Sequence, residues 1–432
     1  MGIHKKKLEL LAPAGSLEKM KYAFAYGADA VYMGIPDFSL RVRINQFTMD
    51  NVKEAIEYAH VLKKKIYVTV NVVAHNEHLE KLPSYLKKLN VWKPDALIVS
   101  DPGVMVYAKK YASDVKIHLS TQANATNWET VKFWYDQGLE RVVLGREVTL
   151  KELKEIHVKV PRCELEYFIH GAMCMSYSGR CMLSAWLTGR SANLGDCTQP
   201  CRWKYNVDNA QMYVLQAEVE EPLRPGEKIP VEQDVHGTYI FNSKDMCLIE
   251  YLPELIDAGV VSFKIEGRAK SAAYLASVVK AYRQAFDYIL HEGQHKDIKI
   301  QRRTLKHIKK NVLDKLVHRG YTTGFLFGRD TVEQNIDNSH KGSDAEYVGE
   351  VISSVRVGKK WKTTVRPHNA LRVGDRIRIM QPKHDDLRMI IKEMYNEQGE
   401  SIGSGHGGSG RRIVIYTSRE VKEFGILFLC NT

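Results

Sequence analysis

The sequence predicts an α/β protein: a (β/α)8 TIM-like barrel followed by a small C-terminal all-β barrel domain. Two observations carry the prediction. Short apolar runs rich in Val, Ile or Tyr recur at 8–12, 29–34, 65–71, 96–100, 116–120, 141–145, 164–169 and 261–265. Helical patterns lie between them, so the strands run parallel, and eight strand–helix units are what closes a barrel. From about Glu346 the pattern changes to alternating strands at 347–353, 361–365, 375–380 and 413–416, as in a small antiparallel barrel. An open doubly wound sheet is the competitor, disfavoured because no early glycine-rich turn marks a nucleotide site.

The elements follow in chain order. In 51–64, Val52, Ala55, Ile56, Ala59 and Leu62 fall on one helix face. Further helical patterns occupy 128–137 and 149–158, and Gly27 and Gly138 stand where helix C-caps are needed. After the seventh strand the rhythm breaks. Residues 172–243 hold four Cys, many small residues and an acidic stretch at 218–221, which reads as an insertion over the barrel mouth. It ends in a short strand at 239–242, ahead of a helix at 244–258 and a long helix at 271–290 that completes the eighth unit. The expected domains are a barrel over 1–294, a basic helical linker over 295–340 and a β domain over 341–432.

Composition narrows the function classes. Hydrophobic residues at 44% and charged residues at 26% exclude a disordered or collagen-like chain. Lys+Arg minus Asp+Glu is 63 − 51 = +12, a surplus suited to polyanions or small anionic substrates. Seven Cys in 432 residues are too few for a disulfide scaffold. The opening residues lack the apolar core of a secretion signal, and no run approaches the roughly 18 apolar residues of a membrane span. A cytoplasmic protein with reduced thiols is expected. Within the linker, 301–320 sets Arg302, Arg303, Lys306, Lys309, Lys310, Lys315 and Arg319 against one acid, Asp314. That run is either a solvated helix face or a contact to nucleic-acid phosphate.

Four thiols give the strongest chemical signal. Cys174, Cys181, Cys197 and Cys201 are spaced x6, x15 and x3 in one Gly/Ser-rich, helix-poor segment. Such a segment can wrap its thiolates around a metal centre. Structural zinc sites usually show tighter CxxC pairs, so an iron–sulfur cluster fits at least as well; inert buried cysteines are the third possibility. Cys163, Cys247 and Cys430 stand apart, with Cys247 a possible substitute ligand at the start of a helix.

Strand C-terminal ends converge on one mouth in a barrel, where chemistry is normally done. Asn71, Asp101, Gln122 with Asn124, Arg146 with Glu147, His170 and Glu266 all fall there. Asp101 before Pro102 reads as a helix cap. His170 lies four residues before Cys174, so mouth and metal centre are expected to be neighbours. Lys264-Ile-Glu-Gly-Arg-Ala-Lys270 combines a tight-turn glycine with Arg268 and Lys270 ahead of a helix, an anion site or simply a basic loop. Arg41 and Arg43 after strand two form a second candidate carboxylate or phosphate clamp. There is no HExxH, GxSxG or Walker loop. The GxGxxG at 403–408 lies between two β-domain strands and reads as a hairpin loop.

Glu166-Tyr-Phe168-Ile-His-Gly171-Ala-Met-Cys174 followed by Gly179-Arg-Cys181-Met-Leu-Ser184 resembles the signature of the collagenase-like peptidase family of unassigned catalytic type. Further stretches are similar to one branch of it, the prephenate-dependent tRNA uridine hydroxylases. These are Leu10-Leu-Ala-Pro-Ala-Gly-Ser16, Tyr22-Ala-Phe-Ala-Tyr-Gly-Ala-Asp-Ala-Val-Tyr32, Ile117-His-Leu-Ser120, Gln122-Ala-Asn124, Cys201-Arg-Trp203, Asn242-Ser-Lys-Asp245, Lys264-Ile-Glu-Gly-Arg268 and His318-Arg-Gly-Tyr-Thr-Thr-Gly-Phe325.

The resemblance implies a tRNA-modifying enzyme that makes 5-hydroxyuridine at the wobble position, with prephenate in place of molecular oxygen. It implies a 4Fe-4S type iron–sulfur cluster on Cys174, Cys181, Cys197 and Cys201. In some relatives a more distant Cys supplies the fourth ligand. On this reading Arg41, Arg43, Asn71, Gln122, Asn124, Arg268 and Lys270 bind substrate, and His170 and Glu266 move protons. Arg302, Arg303, Lys309 and Lys310 hold the tRNA anticodon arm. A collagenase-like peptidase and a non-catalytic RNA-binding or assembly factor are the alternatives.

Overall fold

The computed structural model describes residues 8–40, 45–174, 176–177, 180–194, 196–202, 216–220, 228–234, 237–239, 243–292, 297–328, 345–408 and 410–430. Each of the first seven apolar runs forms a strand: β1 (Glu9–Ala14), β2 (Ala30–Gly34), β3 (Lys65–Val70), β4 (Ala96–Val99), β5 (Lys116–Leu119), β6 (Arg141–Val143) and β7 (Glu164–Ala172). Between them stand α1 (Leu17–Ala25), α2 (Met49–Val61), α3 (Asn76–Trp92), α4 (Pro102–Tyr111), α5 (Trp128–Asp136) and α6 (Leu150–Lys159). Ser16, Thr48, Asp101, Asn127 and Thr149 each cap the following helix through a side-chain oxygen, a device that stabilises a helix by about 1 kcal/mol. Asp101 is thus a cap, as its Pro102 neighbour predicts. In α2, Val52, Ala55, Ile56 and Ala59 are buried against the barrel as their spacing requires, while Leu62, expected on the same face, is the helix C-cap and exposed.

The lid segment after β7 contains α7 (Leu183–Thr188) and an antiparallel ribbon of β8 (Gln216–Glu220), β9 (Lys228–Asp234) and β10 (Gly237–Tyr239). The helix expected over 244–258 is a correction. Its first part is β11 (Asp245–Cys247), and the helical part is a 3-10 turn at Ile249–Tyr251 leading into α8 (Leu252–Asp257). Strand β11 pairs antiparallel with the end of β7, Met246 opposite Gly171, and Asp245 is buried in an ion pair with Arg319. Those long-range partners override a helix-like apolar spacing.

Strand β12 (Val260–Ile265) pairs in parallel with both β1 and β7, so eight parallel strands close a barrel. Helix α9 (Ala272–Asp287) covers the closure and α10 (Ile298–Val312) packs beside it. β13 (Tyr321–Thr322) adds to β11. Among the described residues no helix is long and apolar enough to cross a membrane.

The second domain is antiparallel and all β. It comprises β14 (Ala345–Val357), β15 (Lys360–Pro367), β16 (Leu371–Arg372), β17 (Arg376–Gln381), β18 (His384–Ile390), β19 (Met394–Tyr395), β20 (Ser404–Gly405), β21 (Ile413–Thr417) and β22 (Ile426–Cys430). Its own core gathers Val348, Val351, Val365, Ile377, Ile379, Ile415 and Leu427. The two domains are tied through α1 and α9. Tyr26 donates its hydroxyl to the carbonyls of Met380 and Phe424, each at 2.9 Å. Lys280 pairs with Asp386 at 2.8 Å, and Glu350 takes both the Tyr22 hydroxyl and the Arg366 guanidinium.

Candidate active site at the barrel mouth

Inward-facing residues at the lower end of the barrel are charged, not aliphatic. Arg141 of β6 donates to Glu9 at 2.5 Å, Glu164 at 2.6 Å and Glu166 at 3.2 Å. Ser262 bridges Glu9 and Glu166 at 3.0 and 3.1 Å, and Tyr67 donates to Glu9 at 2.7 Å. Lys264 of β12 completes the chain, with Nζ 2.7 Å from Glu166 Oε1. Burial pushes the Glu9 carboxyl up, but Arg141, Lys65 and the Tyr67 hydroxyl together hold it below its ordinary value. Burial drives the Lys264 ammonium below the ordinary lysine value, with Glu166 opposing the shift. Every member has a partner, the condition under which a buried polar network is tolerated.

Above this network opens a cavity of about 200 Å³. Its lining brings together the ends of β2, β3, β5, β7 and β12 with the lid segment, including Tyr32, Asn71, Ser120, Gln122, Arg146, Phe168, Lys264, Glu266 and Arg268. Lys264 Nζ lies 4.3 Å from the centre of the Tyr32 ring, and the Arg146 guanidinium 3.8 Å from that of Phe168. Both cations are thus held against aromatic faces. Asn71 accepts from Leu40 N at 3.3 Å and donates to Ser120 Oγ at 3.1 Å, which locks the floor of the mouth. Gly171 explains the His-Gly-Ala motif. Its φ is +112°, and a Cβ there would stand 2.6 Å from the Glu266 carbonyl oxygen, so only glycine lets β7 pass the loop carrying Glu266.

Cys174, Cys181, Cys197 and Cys201 all line this same cavity. The lid that carries them is pinned by Ser184 Oγ, which accepts from Thr198 N at 3.0 Å, by the Arg190–Asp196 pair at 2.6 Å, and by Val73 N donating to Asn193 O at 3.1 Å. Gln199 N donates to Cys197 Sγ at 3.4 Å. Among the described residues no group of three or more His, Cys, Asp or Glu is gathered as a single metal ion requires.

Several predicted residues are not among the described lining. Arg41 and Arg43 lie outside the described residues. Asn124 ends a short turn at φ +56° and does not line the cavity. Lys270 sits over the Tyr274 ring at 4.9 Å, off the lining. His170 is also a correction: it is fully buried outside the cavity, 3.0 Å from the Tyr274 hydroxyl and packed on Tyr282 and Tyr321. The reason is a register shift. Lys264 pairs with Phe168, but Ile265 pairs with His170, so the imidazole shares the outer face with Ile265 and points away from the mouth. Burial lowers its pKa to about 4. Cys247 is likewise buried off the cavity, 3.8 Å from the Tyr282 hydroxyl, with its thiol pushed up to about 11 by burial.

The basic helix divides. Arg302 and Lys309 are ion-paired to Glu254 and Glu250, and Arg319 is buried against Asp245. Arg303, Lys306 and Lys310 face solvent. Lys264, Arg141, Glu166 and Tyr32 were not singled out from sequence. The signal was present as alternate charged residues in strands that otherwise read as apolar.

A closed parallel barrel whose mouth gathers cations and thiols, with an appended antiparallel domain, defines an α/β-barrel protein with its polar residues concentrated at one end. Residues 15–336 match Peptidase family U32, and 343–427 match the Peptidase family U32 C-terminal domain. The chain belongs to peptidase family U32. It is 42% identical to tRNA hydroxylation protein P of Escherichia coli, over 92% of this chain and 91% of that one. It is 40% identical to the protein of the same name in Haemophilus influenzae, over 93% and 92%. A collagenase of Porphyromonas gingivalis is 34% identical over 65% of each chain. The tRNA hydroxylation branch, to which the sequence motifs pointed, is thus matched over nearly the whole chain.

Proposed function

We propose that this chain is a tRNA hydroxylase that replaces the C5 hydrogen of the wobble uridine with a hydroxyl, using prephenate in place of molecular oxygen. The observation that supports it is the cavity itself: Arg146, Lys264 and Arg268 face one carboxylate, Glu266, among the described residues of the lining. The full-length similarity to tRNA hydroxylation proteins points the same way.

Prephenate carries two carboxylates. The Arg146 and Arg268 guanidinium groups offer planar forks for them, and Lys264 adds a point charge at the floor. Gln122 presents an amide to the edge of the uracil. Replacing C–H with C–OH removes two electrons from the ring; prephenate, the co-substrate, is the oxidant that takes them up, and the C5 proton must leave. Glu266 is the group placed to accept it. Its Oε2 is oriented by the Ala172 N–H at 3.4 Å. The four cysteines suit an iron–sulfur cluster, being an all-thiol set distributed round one cavity with an N–H already donated to one sulfur; such a cluster, when bound, supplies one-electron transfer. A peptidase reading lacks comparable support. Among the described lining residues there is no histidine to activate Ser120, Thr121 or a thiol.

Deletion of the gene followed by mass spectrometry of bulk tRNA nucleosides tests the reading. Loss of 5-hydroxyuridine, restored by wild type but not by Cys174→Ala or Arg268→Ala, is the expected result. An unchanged nucleoside profile overturns it.

A further inference from the structure

The segment His318-Arg-Gly-Tyr-Thr-Thr-Gly-Phe325 takes no part in the cavity, yet it is elaborately held. His318 stacks on Tyr321 with ring centres 4.1 Å apart, Arg319 is locked to buried Asp245, and β13 pairs with β11. Gly324 has φ +58°, and a Cβ there would stand 3.4 Å from the end of the Met173 side chain, directly before Cys174. The chain then runs into Leu326, whose carbonyl accepts from Leu150 N at 2.9 Å. The outcome is the placement of one residue. Phe327 stands 49% exposed at the rim, supported from behind by an edge-on Tyr251 ring at 4.9 Å. Tyr251 in turn carries the Arg302 guanidinium at 5.0 Å.

Phe327 forms one wall of a groove of about 550 Å³. The rest of the lining is Leu326 with Thr149, Leu150, Lys151 and Lys154 of the β6–α6 loop and first helical turns. Both lysines are exposed. Lys154 lies 3.3 Å from the exposed Asp257, and Glu152 is turned back into the helix cap with Thr149. Since α6 follows β6, the groove is at the same end of the barrel as the cavity. Arg146 lines the cavity and Thr149 lines the groove. Three residues span at most about 11 Å.

We propose that this groove is a nucleotide-stacking subsite: an unpaired RNA base lies on Phe327 with its phosphate against Lys151 and Lys154, beside the base that enters the cavity. An exposed aromatic face flanked by lysines is the arrangement that holds single-stranded nucleic acid. A base splayed into a pocket leaves its neighbour unstacked and in need of a new platform. The inference rests on the RNA reading above and adds where the flanking nucleotide sits.

Fluorescence anisotropy of a labelled anticodon stem-loop RNA with the full chain tests it. Wild type binds, and Phe327→Ala weakens binding about tenfold or more. Phe327→Trp holds affinity within about twofold, while Phe327→Leu falls with Ala because it fills space without stacking. Lys151→Ala lowers the salt slope of binding by about one. Thermal melting confirms that these surface variants fold. Phe327→Leu or Phe327→Ala binding as tightly as wild type overturns the subsite and leaves the RNA reading standing. So does self-association that Phe327→Ala abolishes without changing RNA affinity, which makes the groove a contact between copies. A wild-type chain that ignores the stem-loop overturns the RNA reading and the subsite with it.

Discussion

Lys264 and Glu166 form an ion pair, Nζ to Oε1 at 2.7 Å, in which Lys264 lines the cavity and Glu166 lies buried off its lining. The second Glu166 oxygen is taken by Arg141 and Ser262. Lys264 is therefore a cavity cation whose charge depends on a carboxylate that does not line the cavity. Glu166→Gln is expected to destabilise the fold by about 3 kcal/mol or more, because it leaves the lysine charge without its counter-ion. Burial already lowers the Lys264 pKa, and loss of Glu166 lowers it further. Calorimetric titration of prephenate across pH reads this out. Affinity in the variant should decline at a lower pH than in wild type, and coincident profiles would show that Lys264 does not hold the anion.

Stability should fall in acid earlier than carboxylates alone predict. His170 is held at about 4 and His118 well below its ordinary value, both by burial. The unfolded imidazole titrates near 6.5. Between about 6.5 and 4 the unfolded state binds more protons, so stability is full above 6.5 and declines as pH drops. Glu9, Asp245 and Glu350 are held below their ordinary values. Their contributions persist through that window and are lost only at lower pH. Urea denaturation from pH 7 to pH 5 checks this, at up to about 1.4 kcal/mol per pH unit for each histidine. His170→Gln should remove one histidine's share of the slope, and an unaltered slope would refute the assignment.

How much of this was legible in the sequence depends on how local the determinants are. The eight barrel strands were, because each is a short apolar run between turn residues; Ala96–Val99 and Lys116–Leu119 stand where the runs put them. Strand ends alone put Asn71, Gln122 and Glu266 at one mouth, the loop motif after the eighth strand put Arg268 there, and reading 172–243 as an insertion over the mouth put the four cysteines beside them. His170 did not, since a single register shift between Lys264 and Ile265 reverses its side and leaves no trace in composition. The helix expected over Asp245–Cys247 fails because the partners of Asp245, Ala172 across the strand pair and Arg319 in the ion pair, are 73 and 74 residues away. β18 and β22 were missed where charged residues or a chain end blur the alternation.

The basic helix α10 separates structural from solvent-facing charge. Lys309→Glu sets a carboxylate against Glu250, its present partner at 3.0 Å, and is expected to lower Tm. Arg303→Glu with Lys310→Glu touches no such pair and should leave Tm unchanged. If these exposed cations meet RNA phosphates, the double variant weakens tRNA binding and reduces the salt slope by about two. An unchanged slope would assign the exposed face to solvation alone.

If the lining cysteines hold an iron–sulfur cluster, a direct measurement distinguishes its ligands from the other thiols. Cys174, Cys181, Cys197 and Cys201 line the cavity, whereas Cys163 and Cys247 are buried away from it. A metal-binding sulfur has to be a thiolate. Burial pushes the Cys247 thiol up to about 11, so near neutral pH it stays protonated and, being off the lining, has no approach to the centre. After anaerobic reconstitution with iron and sulfide, wild type should retain both and show charge-transfer absorption. Alanine at any one of the four lining cysteines should reduce bound iron sharply, while Cys163→Ala and Cys247→Ala should keep it, with the cost of those two confined to Tm. Full iron content in Cys201→Ala together with loss in Cys247→Ala would move the fourth ligand to the buried thiol, and would require β11 to leave its pairing with β7.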